Sequence, residues 1–234
     1  MKTKEDFLDG QILLIDKPLE WTSFQAVNAL KWAIRKKFNL KKIKIGHAGT
    51  LDPLATGLLV ICTGKFTKKI PELQGQVKEY TGTFHLGATT PSYDLETEVN
   101  QTFPTEHLNE DDIKEATSKF VGKIEQVPPV FSALKKDGKR LYELARKGEE
   151  VEVQPRIIEI FEFEITRIAL PEVDFRVVCS KGTYIRSLAH DFGKAVGSGA
   201  YLSVLRRTKI GDYNVHNATN PLVFKENLGT ETPT

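Results

Sequence analysis

The stretch TGLLVICTG, Thr56 to Gly64, carries five consecutive apolar residues, Leu58 to Cys62, between turn-forming glycines. A short unbroken apolar run of this kind reads as a buried strand, so the chain has to build a covered sheet around it. Other strands are expected at GQILLIDKP, which stops at Pro18, at VKEYTGTFHLG and at YLSVLRRTKIG. A pair follows from RIIEIFEFEITRIAL and EVDFRVVCS, with a turn at Pro171. Helical spacing appears in TSFQAVNALKWAIRKKF (Val27, Leu30, Ile34), with Thr22 or Ser23 as N-cap. It appears again in NEDDIKEATSKFVG behind Asn109, whose first-turn acids suit the helix dipole, in RLYELARK and in TYIRSLAHDFGKAV. The order of elements is not the regular alternation of a doubly wound sheet. It predicts an α+β fold with mixed or antiparallel pairing.

At 234 residues the chain suits one large domain or two small ones. Its N-terminus, MKTKEDFLDG, is charged and lacks the apolar stretch of a secretory signal, and no apolar run is long enough to span a bilayer. Cys62 and Cys179 sit in apolar surroundings, the usual setting of reduced thiols, which leads to the expectation of a cytoplasmic protein without disulfides. The net charge of +2 is less informative than its distribution. Residues 31–44 hold seven Lys or Arg and no acid, and smaller basic clusters lie at Lys65, Lys68 and Lys69, at residues 135–140 and at Arg206, Arg207 and Lys209. Each cluster alone reads as a solvated face; together they tilt toward a polyanionic partner.

Three chemistries lack support. The glycines of GLLVICTGKFT are too far apart for a phosphate loop. The five histidines are scattered without zinc-ligand spacing, and no GxSxG elbow is present. Four segments remain. GHAGTLDPLATGLL sets Asp52 alone among glycines, threonines, leucines and Pro53. Glycines permit positive φ and close approach, so this acid is either a turn former accepting backbone hydrogen bonds or a working group. KEYTGTFHLGA puts Tyr80 on a strand, where packing alone would account for it. CSKGTYIRSLAHDFG places Arg186 in a first helical turn, against the dipole, which calls for an acid partner or an anionic ligand. GAYLSVLRRTKIG sets two arginines beside apolar residues on a strand that reads equally as a charged edge.

Six segments in order, LLIDKPLEWTSF, KIGHAGTLDPLATGLLVICTG, KEYTGTFHLGATTPSYD, QVPPVFSALKKDGKRLYELARKGEEV, VVCSKGTYIRSLAHDFG and GAYLSVLRRTKIGDYNV, together resemble the TruB family of tRNA pseudouridine synthases. The resemblance implies the pseudouridine synthase fold, a mixed, largely antiparallel sheet with a central catalytic cleft and flanking helices. It implies isomerisation of uridine 55 in the T loop of tRNA by base flipping, without metal or other cofactor. Asp52 matches the family's essential aspartate, and Tyr80 and Arg186 its active-site tyrosine and arginine. His47, Tyr184 and Leu205 fall where the family contacts RNA or the target nucleotide, and Lys17 matches a lysine near the site. Asp52 must then be ionised, to attack a carbon or to take a proton from the sugar, with Arg186 expected beside it; both routes stay open. Residues 11–215 are expected to form the catalytic domain, with 128–156 an insertion that clamps RNA. Residues 216–234 are expected to be a short tail, too short for the C-terminal PUA-type RNA-binding domain of many relatives. The implied partner is the T arm of tRNA, bound by a monomer with no obligatory protein partner. Two alternatives are a guided synthase subunit, whose relatives carry the extra domain, and an RNA-binding module without turnover, which would have lost a catalytic group.

Overall fold

A computed structural model describes residues 2–132, 135–136, 139–141 and 153–229. They fall into two compact units, the first joining Met1–Tyr80 to Leu205–Thr234 and the second comprising Thr81–Val204. The first unit contains α1 (Lys4–Asp9), β1 (Ile12–Lys17), α2 (Ser23–Lys37), β2 (Ile45–His47), β3 (Ala55–Thr63) and α3 (Ile70–Gly75). β4 (Lys78–Leu86) starts there and runs into the second unit. That unit holds β5 (Ala88–Thr89), β6 (Gln101–Thr102), α4 (Glu110–Ala116), β7 (Gly122–Gln126), β8 (Lys135–Lys136), β9 (Lys139–Arg140), β10 (Arg156–Ala169), β11 (Glu172–Cys179) and α5 (Ile185–Ala195). β12 (Ala200–Ile210) leads back into the first unit, which ends with β13 (Tyr213–Asn214) and α6 (Pro221–Asn227).

The apolar run that demanded cover is β3, and its residues Leu58 to Cys62 are wholly buried. β3 pairs antiparallel with β1 (Leu14 opposite Val60) and with β2 (His47 opposite Ile61). β1 takes one edge of β3; the other is shared by β2 and, further along, by β12 in parallel, Leu205 opposite Ala55. One face of β3 meets α2. That helix starts at a capping box in which Thr22 and Gln25 satisfy each other's backbone N–H groups. Its buried face, Ala26, Val27, Leu30, Ala33 and Ile34, packs with Leu59, Ile61, Leu13 and Ile15. The basic run starts inside α2 at Lys31 and fills its last turn with Arg35 to Lys37, where cations favour the helix dipole.

In the second unit the strand order is β12–β4–β11–β10–β7. β10 and β11 form the expected pair through the turn at Pro171, antiparallel with Phe163 opposite Val177, and β7 lies antiparallel on β10. Phe84 stacks on Phe175 with ring centroids 4.1 Å apart, and Phe163 and Phe192 close the same cluster. The architecture is thus mixed and mostly antiparallel, with flanking helices. Among the described residues no helix is long and apolar enough to cross a membrane, and both cysteines are buried and outside any disulfide.

Some expectations change. The stretch 11–215 runs through both units. Residues 216–229 pack within the first unit: Thr219 exchanges backbone hydrogen bonds with Leu14 and Asp16, and Leu228 joins the core beneath α2. A single apolar turn after Asn220 was too short for periodicity to reveal. α4 is shorter than expected and continues as a 3-10 helix over Thr117–Phe120. Within 128–156 the described residues include β8 paired antiparallel with β9; the helix expected at RLYELARK lies, from residue 142 on, outside the described residues.

Candidate active site

The loop between β2 and β3 carries Asp52, and its course follows from its sequence. Gly49 adopts φ +99° and Gly57 φ +102°, conformations that side-chain-bearing residues rarely take. At Gly57 a Cβ would sit 2.3 Å from the carbonyl oxygen of Arg207, so only glycine lets β12 approach β3 this closely. Asp52 itself makes a turn, its carbonyl accepting from the Ala55 N–H at 3.1 Å. It is partly exposed, between buried Leu51 and exposed Pro53.

Three buried side chains hold the loop by its backbone. The Ser23 hydroxyl, at the start of α2, accepts from the Leu51 N–H (2.8 Å) and donates to the Leu51 carbonyl (3.1 Å). Lys17, at the end of β1 and 0% exposed, donates to the carbonyls of Pro18 (2.9 Å), Trp21 (2.5 Å) and Pro53 (3.4 Å). Arg207, on β12 and 1% exposed, donates from Nε to Leu58 (2.8 Å), from Nη2 to Gly49 (3.0 Å) and from Nη1 to Thr50 (3.5 Å). Burial lowers Lys17 from its ordinary 10.5 to about 8; the charge of Asp52 opposes that fall and Arg207 adds to it. Burial also lowers His47, with a backbone hydrogen bond at Gly49 opposing and Arg207 adding, so its imidazole is neutral at physiological pH. Leu205 is fixed on β12 by pairing with Ala55, and Tyr80 is buried on β4. The neighbouring Arg206 forms a two-pronged pair with Asp16 at 3.0 and 2.7 Å.

Tyr184 and Arg186 belong to the second unit, at the start of α5. The buried Gln126 side chain accepts from the Tyr184 N–H (2.8 Å) and donates to the Tyr184 carbonyl (3.1 Å). Ser187 donates to the Val127 carbonyl at 2.7 Å, so the first turn of α5 is tied to the end of β7. Arg186 has an acid partner, as its place against the dipole demanded: Asp94 lies 3.5 Å away, and both side chains are buried. Asp94 is in turn held by its loop, its carbonyl accepting from Thr90 (2.7 Å) and Ser92 (3.2 Å) and its carboxylate from the Glu96 N–H (2.9 Å). Tyr93, at φ +64°, stacks on His190 at 4.0 Å.

Within the first unit, therefore, Lys17 is brought to the Asp52 loop, and His47 and Leu205 lie on strands that flank β3. Tyr184 and Arg186 are assembled in the second unit. Sequence reasoning missed Ser23 and Arg207 as holders of the loop, Gln126 as the anchor of Tyr184, and Asp94 as a partner of Arg186.

Comparison with known proteins identifies the lineage. The family model described as TruB family pseudouridylate synthase (N terminal domain) matches residues 35–185. A protein of Flavobacterium johnsoniae named tRNA pseudouridine synthase B is 71% identical over 227 residues, which is 97% of this chain and 99% of that one. Its namesake in Phocaeicola vulgatus is 55% identical over 221 residues, 94% of each chain. Among solved structures, a chain of the crystal structure of a Cbf5-Nop10-Gar1 complex superposes with a TM-score of 0.67 at 31% identity. The match covers 91% of this chain but 52% of that one, so this chain spans about half the length of that solved protein. By the family model and by these relatives, the chain belongs to the TruB family of pseudouridylate synthases.

Proposed function

We propose that the chain converts uridine to pseudouridine in tRNA, at position 55 of the T loop, with Asp52, Tyr80 and Arg186 as its catalytic residues. The observation that carries this reading is similarity over nearly the whole chain to a protein named tRNA pseudouridine synthase B. The manner in which the loop of Asp52 is held supports it: a surface turn has no need of three buried side chains gripping its carbonyls. The reaction breaks the bond from ribose C1′ to uracil N1, turns the base and joins C1′ to C5. A proton leaves C5 and N1 gains one, so no electron or group donor is called for and no cofactor is assigned.

In this reading Asp52 acts on the sugar, as nucleophile or as base. The target base is swung out of its loop at a cost of a few kcal/mol. Stacking on the ring of Tyr80, worth about 1–3 kcal/mol, offsets that cost. Neutral His47 takes the space the base leaves, while Tyr184, Leu205 and Lys17 line or support the nucleotide site. Residues 11–215 supply the catalytic part, and 128–156 close on the RNA with their basic residues toward phosphate. The enzyme works in the cytoplasm as a monomer without an obligatory protein partner.

The test is incubation of the purified protein with an unmodified tRNA transcript, then mapping of pseudouridine. One modified nucleotide, at position 55, is expected without added RNA or protein. Product only when a guide RNA or a second protein is supplied would replace this reading with a guided subunit, and binding without product under all conditions would replace it with a binding module.

A further inference from the structure

We infer that Ser23 and Arg207 are positioning residues for the Asp52 carboxylate, an inference that rests on the reaction proposed above. Asp52 projects from a backbone that is held on either side of it. Before it, the peptide groups of Leu51 are held at N–H and carbonyl by one hydroxyl, that of Ser23. After it, the carbonyl of Pro53 accepts from the Glu20 N–H at 2.8 Å and from Lys17. Further back, the carbonyls of Gly49 and Thr50 lie on two nitrogens of the Arg207 guanidinium.

Arg207 is an unusual filling for an interior strand position. An apolar side chain would occupy the same volume without the cost of removing a charge from water. What the guanidinium provides instead is a planar fork whose donors have fixed relative directions. One prong is anchored on β3 at Leu58 and the other two on the loop, so the strand and the loop are held at one separation. Ser23 does the same from α2, whose own position is fixed by the apolar face it buries. Three elements thus converge on the six residues Gly49–Leu54, and the loop that has to present a charged group needs no rigidity of its own. Neither side chain is given a step in the chemistry; both act through the peptide groups beside Asp52.

The experiment is single-turnover conversion of unmodified tRNA by Ser23→Ala and Arg207→Lys, with tRNA affinity and melting temperature measured on the same preparations. A misplacement of about 1 Å costs up to about 10²-fold in rate. The rate constant at saturating tRNA is expected to fall at least about tenfold in Ser23→Ala, with affinity within about twofold of the unsubstituted protein. Arg207→Lys keeps the charge but not the fork, and is expected to lose rate in the same way; should it fail to fold, Ser23→Ala alone decides. Wild-type rate in folded Ser23→Ala overturns the inference, as does weakened binding with an unchanged rate. If the unsubstituted protein forms no pseudouridine at all, it is the proposed reaction that fails, and the inference falls with it.

Discussion

Replacing Gln126 by Leu tests how the start of α5 is held. The amide of Gln126 is 1% exposed and makes two hydrogen bonds to one residue, Tyr184, at its N–H and its carbonyl. Leucine fills similar space and offers neither. The carbonyl keeps a partner, because it also accepts from the Leu188 N–H at 3.1 Å, so its loss is the net worth of one bond, about 0.5–1.5 kcal/mol. The N–H loses the acceptor that Gln126 supplied, at about 1–3 kcal/mol for a buried donor; Tyr184 is only partly buried, which favours the lower half of that range. The sum is about 1.5–3.5 kcal/mol. For a chain of 150–250 residues each kcal/mol moves the melting temperature by about 2–4 °C, which gives a fall of about 3–14 °C. Thermal unfolding followed by circular dichroism measures it. A variant that melts within about 2 °C of the unsubstituted protein would refute the claim that this amide fixes the turn from which Arg186 emerges.

Two further outcomes follow from the first unit. Gly57→Ala places a Cβ 2.3 Å from the Arg207 carbonyl oxygen and forces a positive φ on alanine; backbone strain and overpacking of about 1–3 kcal/mol each should lower the melting temperature by at least about 5 °C, and a smaller shift in a thermal melt would contradict the close approach of β12 to β3. Lys17 holds a proton to about 8 when folded and to about 10.5 when unfolded. Between those values the unfolded chain is the more protonated, so the contribution of this group to stability rises with pH across that window and is smallest below it. Melts of the unsubstituted protein and of Lys17→Met from pH 7 to 10.5 should show the difference between them moving in favour of the lysine form as pH rises, and movement the other way would contradict the burial of a charged lysine.

Much of the fold was legible because its signals are local. The apolar run of β3 and the cap at Thr22 each lie within a dozen residues, and the two strands that meet at Pro171 are adjacent in the chain. The candidate site residues were legible in part: in the Asp52 loop Gly49 and Gly57 take the positive φ that makes glycine necessary, and on α5 Arg186 has an acid partner. What grips the loop was not legible. Apolar residues occupy both parities of YLSVLRRTKIG, so period two cannot say which of Arg206 and Arg207 is interior. Arg206 is on the partly exposed side with Asp16, and Arg207 is buried on carbonyls about 150 residues away in the chain. Such partners are set by parallel pairing of β3 with β12, which no local pattern encodes. Gln126 and Asp94 were hidden for the same reason, each acting on α5 from a distant segment.

The central claim is that a charged oxygen on residue 52 does the work on the sugar. Asp52→Asn keeps the shape of the side chain and removes its charge, so the most direct measurement is single-turnover formation of pseudouridine by this variant, alongside its affinity for the same tRNA. Conversion abolished with affinity retained is the expected result. Conversion at the unsubstituted rate would contradict the account.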